Sequence, residues 1–380
     1  MAFIYRLLRV TLAVTLMLAG FITLFLMYYK SFPSPKCHPH PAHIGRRTKQ
    51  GNFSITSVVT KKPNPAETQQ KDKPILLLWF WPENKKFDFQ DCKRLFQIDS
   101  CHLTDDRSLY STAHGVLVFH RAIQDDLSNL PTSPRPRFQR WIWFNMDSPT
   151  NMRKIEGIQG LFNLTLSYRK DADIHVRWRL TLKRNTDEDF VLPKKERLLC
   201  LIVDGDNLLT KSAERYKYYE ELIKHIKVDV FHRSSAELLK AENYFLTISS
   251  CKFYLSFEDP VHRDYITETF NGPLAAGTVP IVMGPPRTNY EDFAPGTSFI
   301  HVNDFPHAAA LAEFLLSLDK DNETYMRYFN WRQFFTATRH PVEGSHEFAH
   351  AICQACHHMG MNSVYRVVPD VYKWFLQGSY

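Results

Sequence analysis

The longest apolar stretch of the chain lies near its start, from Val10 to Tyr29, and holds 20 residues without a charge. At about 1.5 Å per residue, a helix of this length spans roughly 30 Å, the thickness of the hydrocarbon core of a bilayer. A cleaved signal peptide has a shorter apolar core, of about 7–15 residues. The pattern therefore predicts a single uncleaved transmembrane signal-anchor, residues 10–29, with residues 1–9 in the cytosol and the rest in the lumen.

Residues 30–73 contain repeated prolines among Lys, Thr, Gln and Ser. This composition cannot bury a core and predicts an extended stem. Sequons at Asn52, Asn163 and Asn322 are predicted glycosylation sites and suit a secretory lumen. A short tail, one anchor, a stem and a large lumenal body are typical of a Golgi-resident enzyme, although a shed surface receptor shares this plan.

Beyond the stem, apolar stretches of strand length alternate with helical patterns. The predicted strands are Ile75–Trp79, Gly115–Phe119, Trp141–Phe144, Leu198–Val203, Val228–Phe231, Phe253–Phe257 and Val279–Met283. Helical periodicity is found in Ser212–Ile226 and Ala308–Leu318. The alternation predicts an α/β fold with parallel, doubly wound sheets. Because residues 177–197 are polar and poor in strands, we place a first half at 74–185, a second at 186–345 and a C-terminal segment at 346–380.

Composition excludes several classes of protein. The apolar share of 44% argues against global disorder, and a net charge of +7 spread over 380 residues gives no case for nucleic-acid binding. The motifs of P-loop enzymes, zinc proteases and nucleophile-elbow hydrolases do not occur. Asp204-Gly205-Asp206 resembles the metal-binding D-x-D of many sugar transferases. Equal matches at 171–173 and 319–321 make that pattern uninformative.

Seven cysteines allow three interpretations. In an oxidising lumen, six cysteines in the body predict three disulfides. These cysteines are Cys92, Cys101, Cys200, Cys251, Cys353 and Cys356. The alternatives are a zinc site and the C-x-x-C-H haem motif at 353–357, and we favour disulfides because of the compartment. Cys37 remains in the stem, where it could link two chains into a homodimer.

The stretch from Cys251 to Arg332 closely resembles the α1,3-fucosyltransferases. Its FYLSFED, DYITET and VPIVMGP match the family's F-Y-L-x-F-E-N, D-Y-I-T-E-K and V-P-V-V-x-G-P. Upstream, WIWFNMDSP at 141–149 is similar to W-x-N-x-E-S-P, and FNLTLSYRKDAD at 162–173 to F-N-x-T-x-x-Y-R-x-D-S-D. The resemblance covers residues 74 to 380, and its spacing is most similar to that of the branch that builds Lewis-x structures.

The resemblance implies a GT-B fold, in which two Rossmann-like domains face a cleft, with the acceptor side in the first half and GDP-fucose in the second. It implies inverting transfer of fucose from GDP-β-L-fucose to the 3-hydroxyl of N-acetylglucosamine in a lactosamine glycan carried by a glycoprotein or glycolipid. No cofactor or essential metal is expected. The expected location is the Golgi membrane, as a single-pass type II protein with a lumenal catalytic body.

Position by position, the resemblance assigns the site residues. The general base falls on Asp147, and the arginine for the diphosphate on Arg215. Further donor-site positions are Trp178, Asp204, Tyr254, Ser256, Phe257, Glu258, Asp259, Tyr265, Glu268 and Thr269. Acceptor binding falls on Arg94, Asp147 and Ser148. The expected disulfides are Cys200 with Cys251, and Cys92 and Cys101 with Cys353 and Cys356.

The chain departs from the family pattern within the donor pocket. Thr269 stands where the family has lysine, Asp259 replaces asparagine, and Asp147 replaces the glutamate of the base. These changes remove a positive charge and add an acidic group near an anionic nucleotide sugar. Three hypotheses follow: a working fucosyltransferase with altered donor contacts, a weakened or inactive relative that binds a glycan or a partner, and an unrelated metal-dependent transferase that uses Asp204 and Asp206.

Overall fold

The computed structural model describes residues 73–176, 180–184, 189–203, 213–233, 240–342 and 344–377. These residues belong to one compact unit. The predicted anchor, the stem up to residue 72, Cys37, Asn52, Trp178 and Asp204 lie outside the described residues. In the described part of the chain, no helix is both long enough and apolar enough to cross a bilayer.

The first half is a six-stranded parallel sheet in the order β2-β1-β3-β4-β5-β6. Its strands are β1 (Ile75–Leu78), β2 (His102–Thr104), β3 (Gly115–Phe119), β4 (Arg140–Phe144), β5 (Leu164–Ser167) and β6 (Ile174–His175), and helix α1 is Asp91–Phe96. Side chains alternate between the two faces, as the strand period requires. Leu76 and Leu78 enter one buried cluster, whereas Leu77 enters the cluster on the other face.

The second half is a five-stranded parallel sheet in the order β12-β11-β10-β8-β9. Its strands are β8 (Arg197–Val203), β9 (Asp229–His232), β10 (Cys251–Phe257), β11 (Val279–Met283) and β12 (Ile300–His301). Its helices are α2 (Ala213–Leu222), α3 (Ala241–Ser249), α4 (Glu268–Ala276), α5 (Arg287–Glu291), α6 (Ala308–Lys320) and α7 (Asn322–Arg327). In the central strand β10, Phe253, Leu255 and Phe257 pack in the cluster that contains the α2 and α6 side chains.

All seven predicted strands are present, with ends within two residues of the prediction, so the α/β fold with parallel sheets is confirmed. The predicted polar join contains one strand that the sequence did not indicate, β7 (Thr181–Leu182). It pairs antiparallel with β13 (Phe335–Thr336) at the far end of the second half. The chain therefore already contacts the second half at Thr181, before the boundary that we placed at 185. Short 3₁₀ turns are Pro82–Asn84, Arg107–Ser111, His120–Ala122, Val302–Asp304, Asn330–Gln333 and Gly344–His346.

The end of the chain lies on the first half. Helix α8 (Ala349–Met361) carries Cys353 and Cys356, which form disulfides with Cys92 and Cys101 respectively. Gly115 in β3 permits the close approach of α8, because a Cβ there would lie 2.8 Å from Cε of Met359.

Helix α9 (Val371–Leu376) covers the opposite face of the sheet, where the rings of Phe375 and Trp143 are 5.4 Å apart. The third disulfide, Cys200–Cys251, joins β8 and β10. The three predicted disulfides are confirmed, and within the described ranges no group of three His, Cys, Asp or Glu residues could hold a metal ion.

Specific hydrogen bonds join the two halves beside the loop that follows β10. Oγ1 of Thr150, in the first half, is 2.6 Å from Nε2 of His262. The backbone N–H of Lys170 donates to Oδ2 of Asp264 at 3.0 Å, and its Nζ is 2.5 Å from Oδ1 of Asp292. These contacts place the loops after β4 and β5 against residues 262–265.

Candidate active site

A cavity of about 280 Å³ lies where the two halves meet. Its walls come from the loop after β4, from the segment after β10 and from the turn before α8, and include Met146, Tyr168, Tyr265, Thr267, Glu268 and Glu347. The loops after β4 and β10 leave the carboxyl ends of parallel strands, which is where ligands bind in open α/β sheets. This cavity is the candidate active site, and we call it the cleft.

Asp147 occupies the loop after β4, next to the cleft residue Met146. Its backbone N–H donates to Oδ1 of Asn145 at 3.3 Å, and only 8% of the residue is exposed. Arg121 donates two hydrogen bonds to the carboxylate of Asp147, from Nε to Oδ2 at 3.2 Å and from Nη2 to Oδ1. The carboxylate therefore has a fixed direction at the carboxyl edge of the first sheet, as a proton acceptor requires.

Arg121 is a site residue that sequence reasoning missed. It follows β3 directly, in the turn His120–Ala122, so the adjacent strands β3 and β4 bring it beside Asp147. It also pairs with Glu83, which Lys85 links to Glu347 on the wall of the cleft. Its position immediately after a buried strand was the one signal in the sequence that could have revealed it.

His120 is not a rival for the role of base. Its Nε2 lies 2.7 Å from the carbonyl oxygen of Arg153, and its Nδ1 accepts a hydrogen bond from Nε1 of Trp143 at 3.1 Å. Burial lowers the pKa of His120, so the ring is neutral and both nitrogens are occupied. The ring is therefore a structural support for the turn that carries Arg121.

The N-terminus of α4 forms the opposite side of the site. Oε1 of the buried Glu258 accepts hydrogen bonds from the backbone N–H of Thr267 at 2.9 Å, and from Oγ1 of Thr267 and Thr269 at 3.2 and 3.3 Å. Oγ of Ser256 donates to the carbonyl oxygen of Thr269 at 2.7 Å. An internal carboxyl group thus sits at a helix N-terminus, which is a favourable place for an anion.

Burial raises the pKa of Glu258 to about 8, against hydrogen bonds from Thr267 and Thr269 that act in the opposite direction. In the described part of the chain, no ion pair with Glu258 is present. The family's lysine would stand at Thr269, directly beside this carboxyl group. The departure at Thr269 therefore leaves no lysine beside this buried carboxyl group.

Arg215, in α2, meets the end of β10. Its Nη1 donates to the carbonyl oxygen of Phe257 at 3.0 Å, and its Nη2 to Oδ2 of Asp259 at 3.1 Å. The two charged side chains are 13% and 11% exposed. The acidic residue that replaces the family's asparagine is thus the direct ion-pair partner of the arginine expected to bind the diphosphate.

Tyr265 shows that these groups converge on one place. Its ring packs edge-on against Tyr168 of the first half, with centroids 5.0 Å apart. Burial raises the pKa of Tyr265 to about 12, with smaller contributions from the negative charges of Glu258, Glu268, Asp147 and Asp259. Carboxyl groups from both halves therefore lie around this one phenol, and both Tyr265 and Glu268 line the cleft.

Several predicted site residues lie elsewhere. Tyr254 is 2% exposed in the core beside the Cys200–Cys251 disulfide, and its hydroxyl accepts the backbone N–H of Ile202 at 3.3 Å. Phe257 belongs to the core below the sheet and offers the site only its carbonyl group. These two aromatic side chains support the site from behind and do not line the cleft.

The predicted acceptor residues other than Asp147 also differ from expectation. Ser148 is fully buried, and its Oγ accepts the backbone N–H of Asn151 at 3.3 Å, so it shapes the loop that carries Asp147. Arg94 has 70% of its side chain exposed and pairs with Asp91 in its own helix. It is absent from the wall of the cleft. The structure gives neither residue a place where a glycan in the cleft would meet it.

The sequons differ in accessibility. Asn322 is exposed at the first position of α7, which suits a glycan. Asn163 is 1% exposed, and its Nδ2 donates to the carbonyl oxygen of Arg366 at 2.5 Å. A sugar on Nδ2 would need the space that this contact fills, so the glycan predicted at Asn163 is not compatible with the described fold.

The raised pKa of Glu258 makes stability depend on pH. The pKa of about 8 in the folded protein exceeds the ordinary 4.5. The free energy of unfolding therefore falls as pH rises from about 4.5 through about 8. Glu258→Gln should remove this loss, which over the rise from 4.5 to about 8 amounts to at most about 5 kcal/mol, at 1.36 kcal/mol per pK unit. Thermal unfolding at pH 5 and pH 8.5 checks this: the melting temperature of the variant should fall less than that of the natural chain. Glu323→Gln, at an exposed carboxylate of the same half, is the control. A decline in Glu258→Gln equal to that of the natural chain would contradict the assignment.

Comparison with known proteins adds evidence of ancestry. The family model described as "Fucosyltransferase, N-terminal" matches residues 71–179, and that described as "Glycosyltransferase family 10 (fucosyltransferase) C-term" matches residues 192–374. The human 4-galactosyl-N-acetylglucosaminide 3-alpha-L-fucosyltransferase 9 is 40% identical over 97% of both chains. A bovine 3-galactosyl-N-acetylglucosaminide 4-alpha-L-fucosyltransferase is 40% identical over 79% of this chain and 81% of its own.

Among solved structures, a crystal structure of an alpha1,3-fucosyltransferase with GDP is 13% identical, with a TM-score of 0.48. That match covers 80% of this chain and 95% of the other. The family models cover both halves of the chain, and the human relative extends over nearly its whole length. The chain therefore belongs to the α1,3-fucosyltransferases of glycosyltransferase family 10.

Proposed function

We propose that this glycosyltransferase moves fucose from GDP-β-L-fucose to the 3-hydroxyl of N-acetylglucosamine in lactosamine-type glycans, with inversion at the anomeric carbon. The observation that carries the proposal is the placement of Asp147, held by Arg121 next to Met146 in the wall of a cleft that also includes Thr267 and Glu268 at the N-terminus of α4. The name of the human relative supports the linkage and the acceptor.

The reaction is a single displacement. The 3-hydroxyl oxygen attacks C1 of fucose on the face opposite GDP, and the bond from C1 to the phosphate oxygen breaks with its electron pair leaving on GDP. Asp147 accepts the hydroxyl proton as the new bond forms. Arg121 directs the Asp147 carboxylate so that this proton is within its reach.

The second half stabilises the departing diphosphate. Arg215 and the positive N-terminal end of the α4 dipole are the cationic and dipolar groups at the carboxyl edge of its sheet. We propose that these groups suffice without a metal ion, and that the two halves form the GT-B arrangement with the acceptor on the first half and the donor on the second.

The proposed location is the Golgi membrane, in single-pass type II orientation with the catalytic body in the lumen. Support comes from the apolar stretch at 10–29 and from the three disulfides, which form in oxidising compartments. Microscopy of the tagged full-length chain against Golgi markers, with protease protection of the body in intact vesicles, tests this location.

The test of the activity is a transfer assay with the full-length chain in detergent, GDP-fucose labelled in the sugar, and a panel of 4-galactosyl and 3-galactosyl N-acetylglucosaminides. We expect label on the 4-galactosyl acceptors, and an equal rate in EDTA. Loss of transfer in EDTA that added Mn²⁺ restores would contradict the metal-free mechanism. Label only on the 3-galactosyl acceptors would contradict the proposed acceptor. Absence of transfer to every acceptor would favour the hypothesis of a binding protein.

A further inference from the structure

We propose that Asp259 competes with the donor substrate for Arg215. Its carboxylate forms an ion pair with Arg215 in the free enzyme, and this ion pair must break before the diphosphate can bind. This inference rests on the proposed function, and it assigns Asp259 as the residue that sets the affinity for GDP-fucose.

Two hydrogen bonds hold the guanidinium of Arg215 in place. Nη1 of Arg215 donates a hydrogen bond to the carbonyl oxygen of Phe257 at 3.0 Å, and Nη2 donates to Oδ2 of Asp259 at 3.1 Å. One edge of the guanidinium is thus anchored to the end of β10, and Asp259 holds the other nitrogen. A phosphate that approaches Nη2 meets the carboxylate already in place.

Shielding from solvent makes the competition effective. The two side chains are 13% and 11% exposed, so water screens their attraction less than in a surface pair. Their charges cancel locally, and the arginine offers an incoming diphosphate little net attraction until Asp259 moves away. Once displaced, Asp259 would still stand near the phosphates as a like charge.

An asparagine at position 259 would have the same shape without this effect. Its amide oxygen can accept a hydrogen bond from Nη2, but it cannot neutralise the guanidinium. The side-chain volume is nearly unchanged, so the neighbouring backbone and Pro260 have no reason to shift. The exchange of one oxygen for an NH₂ group therefore isolates the charge of Asp259.

The experiment is a double-variant cycle on the full-length chain, with GDP affinity measured by calorimetry. Asp259→Asn should tighten GDP binding about tenfold and lower KM for GDP-fucose with little rise in kcat. In the Arg215→Gln background the same change should give a clearly smaller gain, because the guanidinium that it liberates is missing and only the repulsion between Asp259 and the phosphates is relieved. Asp319→Asn, which breaks the Lys252 ion pair elsewhere in the same half, controls for the loss of one negative charge.

Each other outcome is informative. Unchanged affinity in Asp259→Asn, or an equal gain with and without Arg215, would overturn the competition between Asp259 and the diphosphate. Asp259→Ser, which also removes the charge, repeats the test if the asparagine variant fails to fold. If neither the natural chain nor any variant binds GDP, the proposed donor itself is wrong, and that result is distinct from a failure of the competition alone.

Discussion

Replacing Asp147 with asparagine is expected to lower kcat/KM for fucose transfer by about 100-fold or more. The amide has the shape of the carboxylate but cannot accept the proton of the acceptor hydroxyl, and general-base contributions are typically 10²–10⁴-fold. Asparagine still accepts a hydrogen bond from Arg121 through its oxygen, so the loop should keep its position. Binding of GDP, measured by calorimetry, should change little.

The matched control is Asp125→Asn, at a carboxylate of the same half that is 75% exposed and pairs with Arg153. It removes the same charge away from the cleft and should leave kcat/KM near the natural value. Near-normal turnover in Asp147→Asn would show that another group takes the proton. A simultaneous loss of GDP binding and thermal stability would instead assign Asp147 a structural role.

Replacing Thr269 with lysine is expected to tighten GDP binding about tenfold. Thr269 lies in the first turn of α4, with Oγ1 3.3 Å from Oε1 of Glu258, so a lysine there extends into the anion-binding end of the helix. A charge-assisted contact with phosphate contributes about 1.5–3 kcal/mol, or roughly 10–100-fold. We expect the lower end of this range, because Glu258 would lose its proton to pair with the new ammonium group.

The double variant Thr269→Lys with Glu258→Gln isolates that last effect. Without an ionisable Glu258, the lysine should give the larger gain, nearer 100-fold. Leu246→Lys, at a position 57% exposed in α3, adds the same charge away from the cleft and should leave the affinity unchanged. Equal affinity of Thr269→Lys and the natural chain would mean that position 269 does not reach the phosphates.

The strands made mostly of apolar side chains could be predicted from the sequence because burial alone places them. Strand β5 was missed although it is buried throughout, because Leu-Thr-Leu-Ser has polar residues at every second position. Both the backbone N–H and Oγ1 of Thr165 donate to Oδ2 of Asp173 at 2.9 Å. Hydrogen bonds of this kind stabilise a polar residue in a buried position, but they cannot be inferred from hydrophobic periodicity.

The site shows the same limit. The resemblance assigned roles to Asp147, Arg215, Tyr265 and Glu268, since short motifs carry those positions. It could identify Asp259 as a departure, but not as the partner of Arg215, which lies 44 residues away in the chain. Arg121 lies outside the motifs that carry the resemblance, and its position beside Asp147 follows from the pairing of β3 with β4. Contacts between distant loops are properties of the sheet order and register.

The most direct test of the account is the linkage and anomeric configuration of the product, followed by proton NMR as the full-length chain acts on GDP-β-L-fucose and a 4-galactosyl N-acetylglucosaminide. We predict that the first product formed carries α-linked fucose on the 3-hydroxyl of N-acetylglucosamine. A β-linked product, fucose attached to another hydroxyl, or release of free fucose without transfer would contradict the account.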